Sequence, residues 1–253
     1  MDGQNRCMFQ ISRQVSPSMT DSRGRLKLFS AIQLMQDCSE MWKESEVGFR
    51  DYLRETGGAQ LLAFRQLEIR RVPALYEELT CTTTVFDCRG AQGFRNTIIT
   101  DAAGNPCYES WSQGAFVNRK TGRLMRLPQR VIDSLNMSPR YDMPYRSRKI
   151  ELPSIAGIIL PVVAVQRNDI DYNQHVNNAH YIRMALEFLP AGFDFASLRV
   201  EYKQPACWGA RLQPLLYDAG TALYIVLKEG AQVCCIVEFN RKLQSDGSDW
   251  FAW

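Results

Sequence analysis

Two stretches of this chain, 150 residues apart, lead into a helix in the same way, and each helix is followed by a run of short strands. A shift of 150 places Val15 on Val165, Asp21 on Asp171, Arg25 on His175 and Leu26 on Val176, and a shift of 133 places Leu67 on Val200 and Ile69 on Tyr202. Identities are sparse but the order is kept. The chain therefore reads as a duplicated unit whose second copy has the shorter connection from helix to sheet.

Each copy supplies the elements of an α+β fold. In the first, Ala31, Leu34, Met35, Cys38 and Met41 or Trp42 recur at helical spacing from Ser30 to about Glu46, with Ser30 as the expected N-cap. Strand-like runs follow at 61–71, 79–88, 93–100 and 107–118, separated by the turn signals DAAGN and RKTGR. In the second copy, 157–166 reads as a strand. Residues 178–189 then read as a helix with Tyr181, Met184, Ala185 and Phe188 on one face, ended by Pro190. Strands are expected at 198–203, 211–217, 221–228 and 232–242. Between 127 and 153, Pro128, Pro139, Pro144 and Pro153 argue against regular structure. The expected division is an N-terminal domain at 1–136, a linker at 137–152 and a C-terminal domain at 153–253. A chain of 253 residues with 45% hydrophobic content suffices for two modest cores.

Composition narrows the function classes. A net charge of +3 is too mild for a nucleic-acid binder, although a weak preference for acidic partners is compatible with it. Cys7, Cys38, Cys81, Cys88, Cys107, Cys207, Cys234 and Cys235 form no CxxC pair, and free, buried thiols are expected. The start MDGQNRCMFQISRQV has no apolar core of a signal peptide, and the longest apolar run, 157–165, is too short to cross a bilayer. A soluble, cytoplasmic protein without membrane insertion is expected.

The segment NDIDYNQHVNN at 168–178 is the most unusual in the chain. Asp171, Asn173, His175 and Asn177 are spaced by two, so an extended backbone would send all four side chains to one side. The helix expected from Asn178 adds unpaired N–H groups and the positive end of its dipole, an environment suited to an oxyanion.

These residues resemble the signature of the acyl-acyl carrier protein thioesterases of plants and bacteria, in the stretch DIDYNQHVNNAHYI at 169–182. The resemblance extends to SRGRLKLFSAIQLMQ at 22–36, SWSQGAFVNRKTGRLMRLP at 110–128 and LRVEYKQP at 198–205. It implies two tandem hotdog domains, each an antiparallel sheet wrapped around one long helix. It implies Asp171, Asn173 and His175 as catalytic residues, with Asn177, Asn178 and Tyr181 contributing to substrate binding. An imidazole, with an ordinary pKa of about 6.5, suits proton removal from water at neutral pH; Asp171 as the base, with His175 and Asn173 placing the carbonyl, is the other assignment. The first copy has Asp21, Arg23 and Arg25 at these positions, so one hydrolytic site per chain is expected, the first domain supplying an apolar wall for the acyl chain. The sequence departs from the family in one respect. The family's further carboxylate follows a strand tyrosine in a Tyr-x-x-Glu pattern, whereas here Tyr202 leads to Pro205; Ala206 also stands where plant members have cysteine.

Ordinary structural readings cover the neighbouring groups. His180 reads as structural, and Asn177 and Asn178 suit helix capping as well as binding. Met35, Met41 and Trp42 read as core, some of them candidates for the acyl pocket. No metal or cofactor is expected, since His175 and His180 are five apart and neither HExxH nor CxxC frames them; a serine hydrolase is disfavoured because GxSxG is absent. The sequence thus points to hydrolysis of fatty acyl thioesters on acyl carrier protein (ACP), the basic residues Arg140, Arg146, Arg148 and Lys149 favouring that acidic partner. An acyl-CoA thioesterase and a non-catalytic acyl-binding protein are the alternatives, and a homodimer is left open.

Overall fold

The computed structural model describes residues 8–242. By contact the chain divides into two compact units: unit 1 comprises residues up to Ala63 together with Arg70–Tyr145, and unit 2 comprises Phe64–Ile69 together with residues from Arg146 onward.

Unit 1 opens with strand β1 (Phe9–Gln14), then helices α1 (Leu28–Ser45) and α2 (Val47–Thr56), then strand β2 (Gly58–Ile69), whose end belongs to unit 2. Strands β3 (Glu78–Arg89), β4 (Gln92–Asp101) and β5 (Pro106–Asn118) form an antiparallel meander, with β1 on the outer edge of β3. Helix α1 buries Leu28, Ala31, Ile32, Leu34, Met35, Cys38 and Trp42, the stripe that helical periodicity requires, against β1, β3 and β4. Two expectations are corrected here. Ser30 lies inside α1 and is buried, the helix starting earlier with Lys27 as N-cap and no side-chain cap. Met41 is 50% exposed, one residue off the stripe that ends at Trp42.

After β5 comes helix α3 (Gln129–Asp133), which corrects the expectation that prolines keep 127–153 free of regular structure. Pro128 is its N-cap, where a missing N–H costs nothing. Residues 137–145 then strap the outer face of the meander. The Asn96 carboxamide oxygen accepts hydrogen bonds from the Tyr141 amide (3.1 Å) and the Tyr145 hydroxyl (3.0 Å), and Met143 is buried. With α1 on one face and the strap on the other, β5 is buried along almost its whole length, polar Ser110, Ser112 and Gln113 included.

Unit 2 repeats the plan. Residues 146–150 lie on its sheet: the Arg146 amide donates to Gln66, the Ile150 amide to Glu201, and Ile150 packs on Val226 and Ile236. The strand expected over 157–166 is instead two short strands, β6 (Ile158–Ile159) and β7 (Val163–Ala164), with Pro161 between them. Helix α4 (Asn178–Leu186) ends three residues earlier than the apolar spacing suggested. Strands β8 (Phe195–Tyr202), β9 (Arg211–Asp218), β10 (Ala222–Glu229) and β11 (Gln232–Arg241) complete an antiparallel sheet, the end of β2 pairing with β8, then β11, β10 and β9, which carries β6 and β7. Each unit is an antiparallel sheet packed on a helix, the hotdog arrangement; α4, at nine residues, is half as long as the 18-residue α1.

The duplication extends to backbone bonds. Short 3-10 turns at Pro17–Met19 and Arg167–Asp169 each lead to an isolated antiparallel bridge, Thr20 with Leu26 and Ile170 with Val176. The Leu26 amide donates to Pro73 and the Val176 amide to Ala206, both at the shift of 133. Leu67 and Val200 are both fully buried. The cysteines Cys38, Cys81, Cys88, Cys107, Cys234 and Cys235 are buried free thiols, Cys207 is an exposed one, and Cys7 lies outside the described residues. Among the described residues, no helix is long and apolar enough to cross a membrane, a statement that does not extend to membrane-spanning strands.

Candidate functional site

The loop 170–176 is set by its own hydrogen bonds. The Asp171 amide donates to the His175 carbonyl at 2.9 Å, the Gln174 amide to the Asp171 carbonyl at 3.0 Å, and the Asn173 amide to Asp171 Oδ1 at 2.8 Å. The backbone therefore turns back on itself. This corrects the extended reading in which Asp171, Asn173, His175 and Asn177 alternate along a strand; an aspartate whose side chain binds the amide two residues on favours a turn instead. Gln174 completes the turn with φ = 64°, a left-handed conformation that costs a side-chain-bearing residue about 1–2 kcal/mol.

Asp171, Asn173 and His175 are all half-buried on this one loop. No described residue hydrogen-bonds the Asn173 carboxamide or the His175 ring, so their polar ends remain available. The other expected site residues have defined tasks. Asn177 is the N-cap of α4, its Oδ1 accepting from the Ala179 amide at 2.9 Å. The Asn178 carbonyl accepts from the Tyr202 hydroxyl at 3.1 Å. Tyr181 is buried, and its hydroxyl accepts from the Ala206 amide at 2.8 Å. Burial pushes the Tyr181 and Tyr202 phenols up, so both hydroxyls stay protonated. Tyr181 is thus not gathered with the loop trio but ties α4 to the loop that follows β8. That loop in turn holds the candidate site, because the Ala206 carbonyl accepts from the Val176 amide at 2.9 Å. Pro205, in the position of the family's carboxylate, is exposed, as is Cys207.

Asp169 escaped the sequence reading. It is 3% exposed, and its carboxylate accepts from His180 Nδ1 (2.8 Å), Arg183 Nη2 (2.8 Å) and the Gln166 amide (2.7 Å). Burial alone would raise its pKa, but these bonds outweigh burial and hold the carboxyl below the usual carboxylate range. The signal was available in the repeat: Met19, Ser30 and Gln33 occupy the matching positions of the first copy, so charge appears only in the second.

Unit 1 closes the matching loop differently. Asp21 Oδ1 accepts from the Arg23 and Arg25 amides, Gly24 takes the left-handed turn position at φ = 69°, and the Arg25 guanidinium donates to the Val72 carbonyl. The unit also contains a narrow cleft walled by Trp42, Phe49, Val85, Phe94, Phe116 and Leu135, with Arg95 stacked 4.1 Å from the Trp42 ring centre. Among the described residues, no group of three or more His, Cys, Asp or Glu side chains is placed to hold a metal ion.

Comparison with known proteins places this architecture. Residues 7–135 match the acyl-ACP thioesterase N-terminal domain, and residues 160–236 match the acyl-ACP thioesterase C-terminal domain. An acyl-(acyl-carrier-protein) hydrolase, FATB3, of Cuphea viscosissima is 28% identical over 153 residues, which are 55% of this chain and 36% of that protein. The chain therefore spans little more than a third of the length of such curated relatives. An acyl-ACP thioesterase from Bacteroides thetaiotaomicron superposes with a TM-score of 0.84 at 20% identity, covering 96% of this chain and 100% of that one. The 12:0-ACP thioesterase from Umbellularia californica gives a TM-score of 0.80 at 14% identity, covering 93% and 94%. These likenesses show the hotdog fold, and the two domain matches together show that the chain belongs to the acyl-ACP thioesterase family.

Proposed function

We propose that this protein hydrolyses fatty acyl thioesters carried on the phosphopantetheine arm of ACP, releasing the free fatty acid and the carrier thiol, with the chemistry in the C-terminal domain (153–253) and none in the N-terminal domain (1–136). The observation that carries the reading is the single loop that brings Asp171, Asn173 and His175 together beside the start of α4. In this account, His175 removes a proton from water as the oxygen attacks the thioester carbonyl, and returns it to the departing sulfur. An imidazole is better matched to this task at neutral pH than a carboxylate. Asp171, anchored through Oδ1 to the Asn173 amide, holds the loop and balances charge as the imidazole becomes cationic. Negative charge on the carbonyl oxygen meets the Asn173 carboxamide and the amide end of α4, where the Asn178 N–H has no acceptor among the described residues.

The carrier is acidic, and Arg146, Arg148 and Lys149 are exposed on unit 2, which suits an acidic donor such as ACP. The test is incubation with a mixed acyl-ACP pool, read by mass spectrometry, beside the same chains on CoA. Free fatty acid should appear faster from acyl-ACP than from acyl-CoA, and the acyl-ACP rate should fall with ionic strength while the rate on a neutral soluble thioester stays level. Intact acyl-ACP after incubation would leave an acyl-binding protein; equal rates and equal salt response would favour an acyl-CoA thioesterase.

A further inference from the structure

The backbone neck that closes this loop forms in unit 1 without a counterpart of the Asp169 network. In unit 1 the Asp21 amide bonds the Arg25 carbonyl at 2.8 Å and the Lys27 amide bonds the Met19 carbonyl at 2.9 Å. In unit 2 the Asp171 amide bonds the His175 carbonyl at 2.9 Å and the Asn177 amide bonds the Asp169 carbonyl at 2.8 Å. The neck is the same, yet Met19, Ser30 and Gln33 stand where unit 2 has Asp169, His180 and Arg183. A buried carboxylate is costly to desolvate and needs several donors to be tolerated. Unit 1 ties its loop down with other contacts, the Arg25–Ala74 bridge, the Leu75 amide to the Gly24 carbonyl and the Arg25 guanidinium to the Val72 carbonyl, so the Asp169 network does this task in the loop that carries Asn173 and His175.

The geometry supplies a reason. Asp169 sits one residue before the bridge that closes the loop, and Asn177, bonded to its carbonyl, sits one residue after. His180 and Arg183 are three apart, on one face of α4. Their bonds to the same oxygen, Oδ1, fix the rotation of the loop neck about the helix, and Oδ2 is fixed by the Gln166 amide. A backbone neck alone sets where the loop starts; this clamp sets how it is turned.

We propose that Asp169, His180 and Arg183 are positioning residues that hold the loop 170–176 against α4, so that His175 and Asn173 meet the thioester in a reactive orientation. The inference rests on the hydrolytic reading of that loop. His180 acts through Asp169 and touches no reacting atom, with its Nδ1 proton directed at the carboxylate.

The experiment uses the full chain and four variants, Asp169→Asn, His180→Ala, His180→Asn and Arg183→Gln, with steady-state acyl-ACP hydrolysis, thermal unfolding and imidazole NMR. An asparagine places its amide nitrogen near the site of the lost Nδ1 and retains the donor. The clamp predicts that Asp169→Asn and His180→Ala lower kcat by about 10- to 100-fold, because small misplacements of reacting groups cost that much. KM should stay within about twofold, and His180→Asn should recover most of kcat. Should Asp169→Asn fail to fold, His180→Ala against His180→Asn, with Arg183→Gln as the third arm, carries the same test. Unchanged kcat in folded variants, a kcat loss no larger than the fraction unfolded, or His180→Asn no better than His180→Ala would overturn the proposal. The chain has only two histidines, His175 and His180, so the spectrum of His180→Asn assigns both rings. The His175 signal should shift or broaden in folded Asp169→Asn and Arg183→Gln, and an unmoved signal contradicts the clamp. This arm needs no turnover: an inactive wild type with a displaced His175 signal refutes the hydrolytic reading and leaves the clamp standing.

Discussion

The amide of Asp171 donates a 2.9 Å hydrogen bond to the carbonyl of His175, so the first and last members of the candidate catalytic trio face each other across the neck of one turn. The turn is bounded by the Ile170–Val176 bridge and leads directly into α4. Local backbone bonding thus sets a carboxylate, a carboxamide and an imidazole on one closed turn.

Gln174 holds φ = 64° in the turn, whereas Gly24 does so in unit 1 at φ = 69°. Because the Gln174 side chain is exposed, its replacement removes backbone strain and little else. Gln174→Gly should stabilise the protein by about 0.5–1 kcal/mol, after the entropic cost of glycine, and lower kcat by loosening the loop. Thermal unfolding and steady-state hydrolysis on one preparation check both signs.

Asn96 is 1% exposed and fastens the strap over unit 1 through the Tyr141 amide and the Tyr145 hydroxyl, while its own amide donates toward the Ser110 carbonyl. Asn96→Ala leaves the Tyr141 amide without its acceptor in a part-buried interface and leaves the Tyr145 hydroxyl only the Tyr141 carbonyl. A loss of about 2–3 kcal/mol is expected, read as a lower urea midpoint at unchanged slope.

The depressed pKa of Asp169 makes its contribution to stability pH-dependent. An unfolded aspartate titrates near 3.9, so the contribution is fully present above about pH 4–5 and is lost as pH falls through the lower folded value. The gap in urea midpoint between wild type and Asp169→Asn should be level from neutral pH down to about 5 and narrow below about 4. A gap that widens in acid has the wrong sign.

Pro205 is exposed three residues after Tyr202, in the position where the family pattern has glutamate. If the absent carboxylate limits water activation, Pro205→Glu should raise kcat, by up to about tenfold. An unchanged rate means that Asp171 and His175 suffice.

Much of this architecture is legible in the sequence, and the failures have identifiable causes. The meander strands and both central helices follow from periodicity, because burial of one face imposes it. The alignment of Val15 with Val165 and Leu67 with Val200 reads through to matched buried positions. Strand β1 was hidden because most of its residues are exposed, and helix α2 because Phe49 is its only buried residue. The turn at Asp171 was misread because spacing by two suits both a strand and an Asx-turn, and only the side-chain bond to the Asn173 amide decides between them. The burial of Glu109 and Trp111 depends on a strap more than twenty residues further along the chain, where Tyr141 and Tyr145 meet them, which local patterning does not reveal. Asp169 carries no spacing signal of its own, because its three partners come from a preceding turn and from a helix face.

The most direct test of the account is single-turnover hydrolysis of acyl-ACP by the wild type, His175→Ala and Asp171→Asn, each checked for folding by thermal denaturation. The account predicts release of free fatty acid by the wild type, and a loss of about 100-fold or more in His175→Ala with substrate still bound, as removal of a general base requires. Hydrolysis by a folded His175→Ala at the wild-type rate would contradict it.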